Sequence, residues 1–402
     1  MLQACDNPPI LQLTIATAAL SKAQEPDLWE VERVSHHQHA LQQYGRALKG
    51  IQDMVSNGQD SMRVVLIATL LIFCFESLLG DTSRAVTPIQ SSLDLIFKGL
   101  STMSRPYRNS RTKPKRFSAP APIDEELLWA FMRLDGPSLA LLSSKDKVLA
   151  PPINRIFTLA FHEDEFYIPS GFATISEARL YLEDIKWRVL PKTQAANFEQ
   201  TEGSSPPDLQ KMRSKLKHWY SAPVTASSSS LDSQFAQWHR AFEPLLEHSM
   251  SPAGESTFIA AATLHIQALS NDMVISGSGF NTARKDMNTF VCANTIITLS
   301  RRLVEHPNFT KGFVFDTAII PALVIILMLC PDRALKRETH SILRDMVPRR
   351  EGVWDSRIVA EAGEKLLAED EDLGLDDMID PRLRSESPKG GYEPTLRQFL
   401  GA

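Results

Sequence analysis

The stretch Phe315–Ser356, which reads FDTAIIPALVIILMLCPDRALKRETHSILRDMVPRREGVWDS, determines the fold class more clearly than any other part of the chain. Its first part, Ala318–Cys330, is apolar almost throughout, which is typical of a buried helix. Asp332 then offers an N-cap for a second helix over Arg333–Met346, where apolar side chains recur at helical spacing. A final helix is expected after Asp355. The stretch therefore predicts three consecutive helices.

The turn before the final helix contains charged residues around a tryptophan, and these are Arg349, Arg350, Glu351, Gly352, Trp354 and Asp355. Such a group could form a binding site. The same residue types also suit a structural turn, because Trp354 can anchor the turn in an apolar interior and Asp355 can cap the following helix. We favour the structural interpretation.

Most of the remaining chain has the same helical period. Apolar residues between His36 and Val55 recur at spacings of three and four, and these are Leu41, Tyr44, Leu48, Ile51 and Val55. Met62–Leu79 is apolar nearly all round and predicts a central helix, and Gly80 with Asp81 separates it from a third one. Further helices are predicted from Ile123 and over Ser176–Leu190 (with Ser176 as its cap), Leu231–His248, Ser256–Met273 and Thr282–Val304. No convincing strand pair is found. We predict an all-α fold, a large helical bundle or solenoid-like stack.

Two segments differ from this pattern in composition and divide the chain. Residues 101–122 are basic and contain prolines, and residues 369–402 begin with an acidic run. We therefore predict a helical part over 1–100, an exposed linker over 101–122, a second helical part of the same domain over 123–368, and an acidic, disordered tail over 369–402. Within 369–380 acidic and apolar residues alternate, which is found in activation segments and in plain solvated tails.

The linker contains a cluster of basic side chains, namely Arg105, Arg108, Arg111, Lys113, Lys115 and Arg116. Three interpretations remain open for this cluster. It can be a loop kept soluble by its charge, a nuclear-import signal, or a patch that contacts nucleic-acid phosphates.

Composition excludes several classes of protein. The 402 residues carry a formal net charge of −5, which argues against a chain built as a whole to coat nucleic acid or anionic membrane. The four cysteines lie far apart and predict neither a disulfide framework nor a metal site. The apolar runs Val64–Phe75 and Ala318–Cys330 each extend for less than ~20 Å, short of a hydrocarbon core of ~30 Å. We expect no membrane span.

Catalytic and metal-binding motifs are weak in this sequence. His36, His37 and His39 lack a placed carboxylate or thiolate and suit the solvated start of a helix better than a metal site. The run from His162 to Glu165 supplies no further ligands and suits a solvated acidic loop. No nucleophile, zinc-protease or phosphate-loop motif occurs in a matching context. We therefore predict a non-enzyme without a cofactor.

Several stretches resemble one family. Pro321-Ala322-Leu323, Cys330-Pro331-Asp332 and the run Pro348–Ser356 are similar to the C-terminal signature of fungal-specific transcription factor domains of the zinc-cluster (Zn2Cys6) type. HHQHALQQYGRALKGIQ, VVLIATLLIFCFESLLGD, GFATISEARLYLEDI and FAQWHRAFEPLLE resemble upstream helices of that domain. The chain differs from the pattern in lacking the usual arginine before Asp332 and a frequent aromatic residue at Val324.

The resemblance implies a nuclear regulator of transcription that acts through other regulators, a DNA-binding partner or a small-molecule effector. The family's zinc cluster requires six clustered cysteines, so four dispersed ones cannot form it, and we expect little or no direct DNA binding. The chain would then be a truncated zinc-cluster protein or a regulator without its DNA-binding head. The alternative is a non-catalytic helical scaffold outside transcription.

Overall fold

The computed structural model describes residues 7–25, 27–57, 62–102, 125–134, 167–194, 228–275 and 287–372. These residues form twelve α-helices and three strands of two residues each, so the chain is all-α, as predicted. The helices are α1 (Pro8–Ala23), α2 (Glu30–Ser56), α3 (Met62–Leu79), α4 (Thr82–Thr102), α5 (Glu125–Arg133), α6 (Ile175–Gln194), α7 (Ser228–Met250), α8 (Phe258–Ile275), α9 (Met287–Glu305), α10 (Ile319–Leu329), α11 (Arg333–Asp345) and α12 (Ser356–Asp372). The strands are β1 (Phe313–Val314), β2 (Arg350–Glu351) and β3 (Trp354–Asp355).

Several helices begin or end at the residues that the sequence predicts. Gly80 adopts a positive φ of 85° after α3, which an L side chain rarely tolerates. Asp81 then accepts a hydrogen bond from the Arg84 amide at 2.9 Å and caps α4. Asp332 caps α11 by accepting from the amides of Ala334 and Leu335. The predicted roles of Gly80, Asp81 and Asp332 are confirmed.

The predicted cap of α6 is wrong by two residues. The Oγ1 atom of Thr174, not Ser176, accepts a hydrogen bond from the Glu177 amide at 3.1 Å. The Glu177 carboxylate in turn accepts from the Ala173 amide at 2.8 Å. The arrangement resembles a capping box, in which a threonine and a glutamate three residues later satisfy free amides at the helix start.

The prediction that no strands pair is also wrong. β1 pairs with β2 in parallel and β2 pairs with β3 in antiparallel register, with Phe313 opposite Arg350 and Glu351 opposite Trp354. Each strand has only two residues, so no alternation of polar and apolar residues could reveal it in the sequence.

One large apolar core unites α3, α4 and α5 with the helices from α8 to α12. Helix α10 is buried nearly all round, as its composition predicts. A second core joins α6, α7 and α8 around Trp238, which is fully buried. Two smaller clusters pack α1 and α2 against α3.

Helix α2 is longer and less buried than the sequence predicts. It begins at Glu30 rather than at His36, and two residues assigned to its buried face, Leu41 and Val55, are exposed. Of the five predicted apolar residues, Tyr44 and Ile51 pack in the clusters with α1 and α3, where Ala40 and Ala47 are the fully buried residues of α2. The 3,4 spacing therefore identified the helix correctly but not which part of its apolar surface is covered.

Helix α3 contains the apolar run Val64–Phe75 but extends over 18 residues, about 27 Å. By length and composition it is the one helix of the described residues that could cross a membrane, and half of it is buried inside the fold. The core helix of a soluble protein passes the same test. The prediction of no membrane span was made from the length of Val64–Phe75, and the whole helix is longer than that run.

Helix α4 extends to Thr102, two residues into the predicted linker. The rest of the predicted linker lies outside the described ranges. The acidic run contributes Glu369–Asp372 to the end of α12, and residues 373–402 lie outside the described part of the chain.

Candidate functional site

Strands β2 and β3 form a tight hairpin whose turn requires glycine. Gly352 has a φ of 56°, and a Cβ atom on it would lie 3.1 Å from the Thr317 methyl group. Most side chains of the hairpin are buried, and Trp354 is part of the largest apolar core. The predicted anchoring role of Trp354 is confirmed.

Glu351 caps a helix that begins more than thirty residues earlier. Its side chain is completely buried, and its Oε2 atom accepts hydrogen bonds from the amides of Ala318, Ile319 and Ile320 at 2.9 to 3.0 Å. Ala318 precedes α10 and has no side chain that could cap it. A carboxylate at this position satisfies three free amides and interacts favourably with the positive end of the helix dipole.

Arg349 neutralises this buried carboxylate. Its Nε atom donates to Glu351 Oε1 at 2.9 Å, and its Nη1 atom donates to the Thr310 carbonyl. The guanidinium carbon lies 4.4 Å from the ring centroid of Phe309, within the range of a cation–π contact. A charged pair is tolerated in an interior when hydrogen bonds satisfy both partners in this way.

Arg350 and Asp355 connect the hairpin to two further helices. Arg350 Nη1 donates to the carbonyls of Ser77 and Leu78, at 2.8 and 2.6 Å, in the last turn of α3. Its Nη2 atom lies 2.8 Å from the Asp355 carboxylate. Asp355 also accepts from the Arg357 amide at 2.9 Å, so its predicted role as the cap of α12 is confirmed.

The hairpin thus contacts three helices. Glu351 caps α10, Asp355 caps α12, and Arg350 binds carbonyls at the end of α3, while two charged pairs, Arg349 with Glu351 and Arg350 with Asp355, hold these side chains in place. These charged groups already contact each other or a helix end, so they form a structural junction. We call Arg349, Arg350, Glu351, Trp354 and Asp355 the hairpin junction.

A groove lies beside the hairpin junction, between the α1–α2 pair and the end of α3. Its volume is about 490 Å³. The lining combines aliphatic and charged side chains, namely Leu20, Ala23, Gln24, Glu30, Arg33, Val34, His37, Gln38, Leu78, Leu79 and Arg350. Arg350 therefore reaches from the junction into the groove.

The polar side chains of the groove come from the end of α1, from α2 and from strand β2. Gln24 Nε2 donates to the Leu78 carbonyl at 2.7 Å, which fixes α1 on the end of α3. Arg33 lies 3.6 Å from the Glu30 carboxylate, while its buried Nε atom has no hydrogen-bond partner. The groove combines aliphatic walls with two arginines and the Glu30 carboxylate, so it suits a small ligand that has both apolar and polar groups.

The other sequence candidates do not converge on one site. His37 and His39 are exposed on α2 while His36 is half-buried, and no metal-binding group of three side chains occurs among the described residues. The six basic residues of the linker and the run from His162 to Glu165 lie outside the described ranges.

A half-buried polar pair between α7 and α8, next to the buried His265, carried no sequence signal. His239 Nε2 lies 2.5 Å from the Asp272 carboxylate, and the His239 ring stacks edge-on against that of His265, 5.6 Å away. Burial, with a smaller contribution from His239, lowers the pKa of His265 to about 3. His265 is therefore neutral at physiological pH.

The groove was missed in the sequence because its residues come from separate segments, and only packing of α1, α2 and α3 brings them together. Comparison with protein-family models, with curated proteins and with solved structures found no match.

Proposed function

We propose that this chain is the regulatory domain of a fungal zinc-cluster-type transcription factor without its own DNA-binding cluster. In this role it resides in the nucleus and acts through other transcription regulators, a DNA-binding partner or a small-molecule effector. The proposal starts from the resemblance of several separate stretches to that family's regulatory domain.

The observation that supports it most is that these stretches contact one another. Arg350, in the stretch Pro348–Ser356, binds Ser77 and Leu78 at the end of LLIFCFESLLGD. In the same way, the stretches at 171–185 and 235–247 are joined by the Trp238 indole, which donates to the Ala178 carbonyl at 2.8 Å. Stretches that resemble parts of one domain type are expected to pack against one another, as these stretches do.

The thiols support the lack of a zinc cluster. Cys292 and Cys330 are buried and Cys74 is half-buried. Burial raises the pKa of both Cys74 and Cys330 to about 12. The zinc cluster of the family needs six closely spaced cysteine ligands, whereas this sequence has four cysteines that lie far apart. On this basis we expect little or no direct DNA binding.

An effector would bind in the groove beside the hairpin junction. Arg350 lines the groove and also binds the last turn of α3. A ligand that binds its guanidinium therefore also changes the contact between β2 and α3. The groove is thereby coupled to the part of the fold on which α10 and α12 also depend.

The finer architecture belongs to the same proposal. The helices form a bundle or solenoid-like stack, the part of the predicted linker beyond Thr102 carries the import signal, and the chain beyond Asp372 forms an acidic, disordered tail. In a regulator of this kind the tail contacts the transcription machinery.

A tethering experiment tests the regulatory role. The full chain is fused to an unrelated DNA-binding domain in a fungal cell, and a reporter downstream of that domain's site is measured. We expect the reporter to change several-fold relative to the DNA-binding domain alone, and Glu351→Ala, which disrupts the hairpin junction, to abolish the change. An unchanged reporter, with fusion protein of normal abundance, contradicts the proposal.

Localisation separates this function from a scaffold outside transcription. A fluorescently tagged chain is expected in the nucleus, and replacement of the six linker arginines and lysines by glutamine is expected to release it to the cytoplasm. Replacement of six exposed acidic residues by glutamine, at positions 32, 53, 305, 361, 364 and 369, serves as the matched control. Exclusion of the unmodified protein from the nucleus would favour the scaffold.

A further inference from the structure

The two arginines of the groove differ in how well they are paired. The Arg350 guanidinium contacts two carbonyls of α3 and the Asp355 carboxylate at 2.6 to 2.8 Å. Arg33 is held more loosely, because its Nη2 atom lies 3.4 Å from the Leu28 carbonyl and its Nη1 atom 3.6 Å from the Glu30 carboxylate. Strong hydrogen bonds between charged groups are about 2.7–2.9 Å long.

Arg33 therefore retains donor groups for a ligand. Its buried Nε atom has no hydrogen-bond partner among the described residues. Its side chain lines the groove and is 43% exposed, so a molecule in the groove can reach it. A guanidinium binds a carboxylate through two parallel hydrogen bonds, which makes a carboxylate the matching ligand group.

The Glu30 carboxylate specifies a second ligand group. Glu30 also lines the groove and lies three residues before Arg33 on α2. A ligand with a carboxylate alone would be repelled by Glu30 when it binds Arg33, whereas an ammonium group on the same ligand would be attracted. Two adjacent protein charges of opposite sign thus favour a ligand with two adjacent charges of opposite sign.

The helix ends beside the groove have the same two signs. Helix α2 begins at Glu30, and its N-cap Trp29 makes no side-chain hydrogen bond to the free amides of the first turn. Helix α1 ends at Ala23, which lines the groove. The start of a helix carries a partial positive charge and its end a partial negative charge. Both ends therefore favour a ligand that carries a carboxylate and an ammonium group.

The rest of the lining favours an apolar body on this ligand. Leu20, Val34, Leu78 and Leu79 supply aliphatic surface, and Leu20 and Leu78 belong to a cluster that packs α1 and α2 on α3. The volume of about 490 Å³ lies within the range of small-molecule sites, roughly 300–1,000 Å³. Such walls bind an apolar group by removing it from water.

We propose that the groove binds an α-amino acid with an apolar side chain. Its carboxylate contacts Arg33, its ammonium group contacts Glu30, and its side chain packs against Leu20 and Leu78. Both charged groups of an α-amino acid are attached to one carbon atom, which suits the adjacent positions of Glu30 and Arg33. This assignment rests on the proposed function in taking the groove as the effector site, and it names the chemical class of the effector.

Calorimetric titration of the full chain with free L-leucine and free L-phenylalanine tests the proposal. Saturable binding of at least one of them is expected, and binding of neither overturns it. For leucine, the analogue without the ammonium group is 4-methylpentanoate and the one without the carboxylate is 3-methylbutylamine. Each is expected to bind about tenfold more weakly or worse, because one charged contact is lost. An analogue that binds as tightly as its parent overturns the assignment of a ligand with both charges.

Variants of α2 locate the binding site. Arg33→Gln is expected to raise the dissociation constant of the amino acid about tenfold or more. Glu30→Gln is expected to raise it about threefold, since the Glu30 side chain is 78% exposed and water weakens its contacts. Arg46→Gln and Glu32→Gln, at exposed residues of α2 outside the groove, are the matched controls and should leave it unchanged. Circular dichroism checks that each variant is folded. Unchanged binding by Arg33→Gln overturns the proposed site.

The titration and the tethered reporter fail independently. Binding of the amino acid by a chain that leaves the reporter unchanged would support this site and contradict the regulatory function. A reporter that responds to a chain without amino-acid binding would support the regulatory function and overturn this site.

Discussion

The hairpin junction and the exposed apolar residues of α2, which are Val31, Val34, Leu41 and Val55, invert the usual distribution of residue types. At the junction Arg349 and Glu351 are almost completely buried, whereas on α2 Val31 and Val34 are exposed. The buried charges are stable there because each has hydrogen-bond partners from the protein that replace water. The exposed aliphatic residues have no such compensation within the described part of the chain. Position in the fold is decided by available partners as much as by residue type.

The largest effect is expected when the junction loses its buried carboxylate. Glu351→Ala leaves three amides of α10 and the Arg349 guanidinium without their acceptor, so the free energy of unfolding should fall by about 3–5 kcal/mol. Denaturant titration measures it. Glu364→Ala, at an exposed residue of α12, is the control and should change the free energy by less than about 0.5 kcal/mol. Equal effects of the two substitutions would show that Glu351 has no special role.

A smaller loss is expected from Arg350, which lies at the edge of the junction. Arg350→Ala removes two hydrogen bonds to α3 carbonyls and the pair with Asp355, and should cost about 2 kcal/mol. Arg350→Lys should recover only part of this, since a lysine cannot reproduce the planar donor geometry. Arg357→Ala provides an exposed control. Full recovery by lysine would mean that charge alone matters.

His265 is buried like the charged residues of the hairpin junction, but its Nδ1 atom has no hydrogen-bond partner. Its pKa is about 3 in the folded protein and about 6.5 in an unfolded chain. Between pH 3 and pH 6.5, His265 is therefore protonated in the unfolded state and neutral in the folded state. The free energy of unfolding accordingly decreases as the pH falls from 6.5 towards 3.

Replacing His265 tests this pH dependence. Between pH 6.5 and pH 5 the unmodified protein should lose about 2 kcal/mol more than the His265→Asn variant. Thermal or denaturant unfolding at both pH values gives the two differences. Because the change in the free energy of unfolding with pH is compared between the two proteins, any pH-independent destabilisation by asparagine cancels. Parallel pH profiles would mean that His265 is not responsible.

The smallest effect is expected at the exposed apolar residues of α2. Leu41→Ala should change the free energy of unfolding by less than about 0.5 kcal/mol, since Leu41 is 43% exposed and little buried area is lost. Leu327→Ala in α10 makes the same chemical change at a fully buried position and should cost about 2–5 kcal/mol. An effect at Leu41 as large as that at Leu327 would contradict the exposed position of Leu41.

Much of the helical fold could be predicted from the sequence because its signals are local. Helix α3 has the predicted bounds, and Asp332, Asp81 and Asp355 cap the helices as expected. The cap at Thr174 was misplaced because two hydroxyl residues lie within one turn. The strands were missed because two residues are too few to show a period.

The candidate site was predictable only in part. The charged residues around Trp354 were identified, but not that Glu351 caps α10 or that Arg350 binds the end of α3. Nothing in the sequence connects positions 77 and 350. The groove gave no signal either, since Gln24, Arg33 and Leu79 belong to three helices whose packing brings them together.

The sequence by itself determined that the chain is helical, where most helices begin and end, and that one charged turn precedes the last helix. These features depend on spacing, caps and apolar composition within a few residues. Only the tertiary structure decided which part of the apolar surface of α2 is covered and which charges are paired inside. Both depend on contacts between segments that are distant in the sequence, and Arg350 contacts Ser77 across 273 residues.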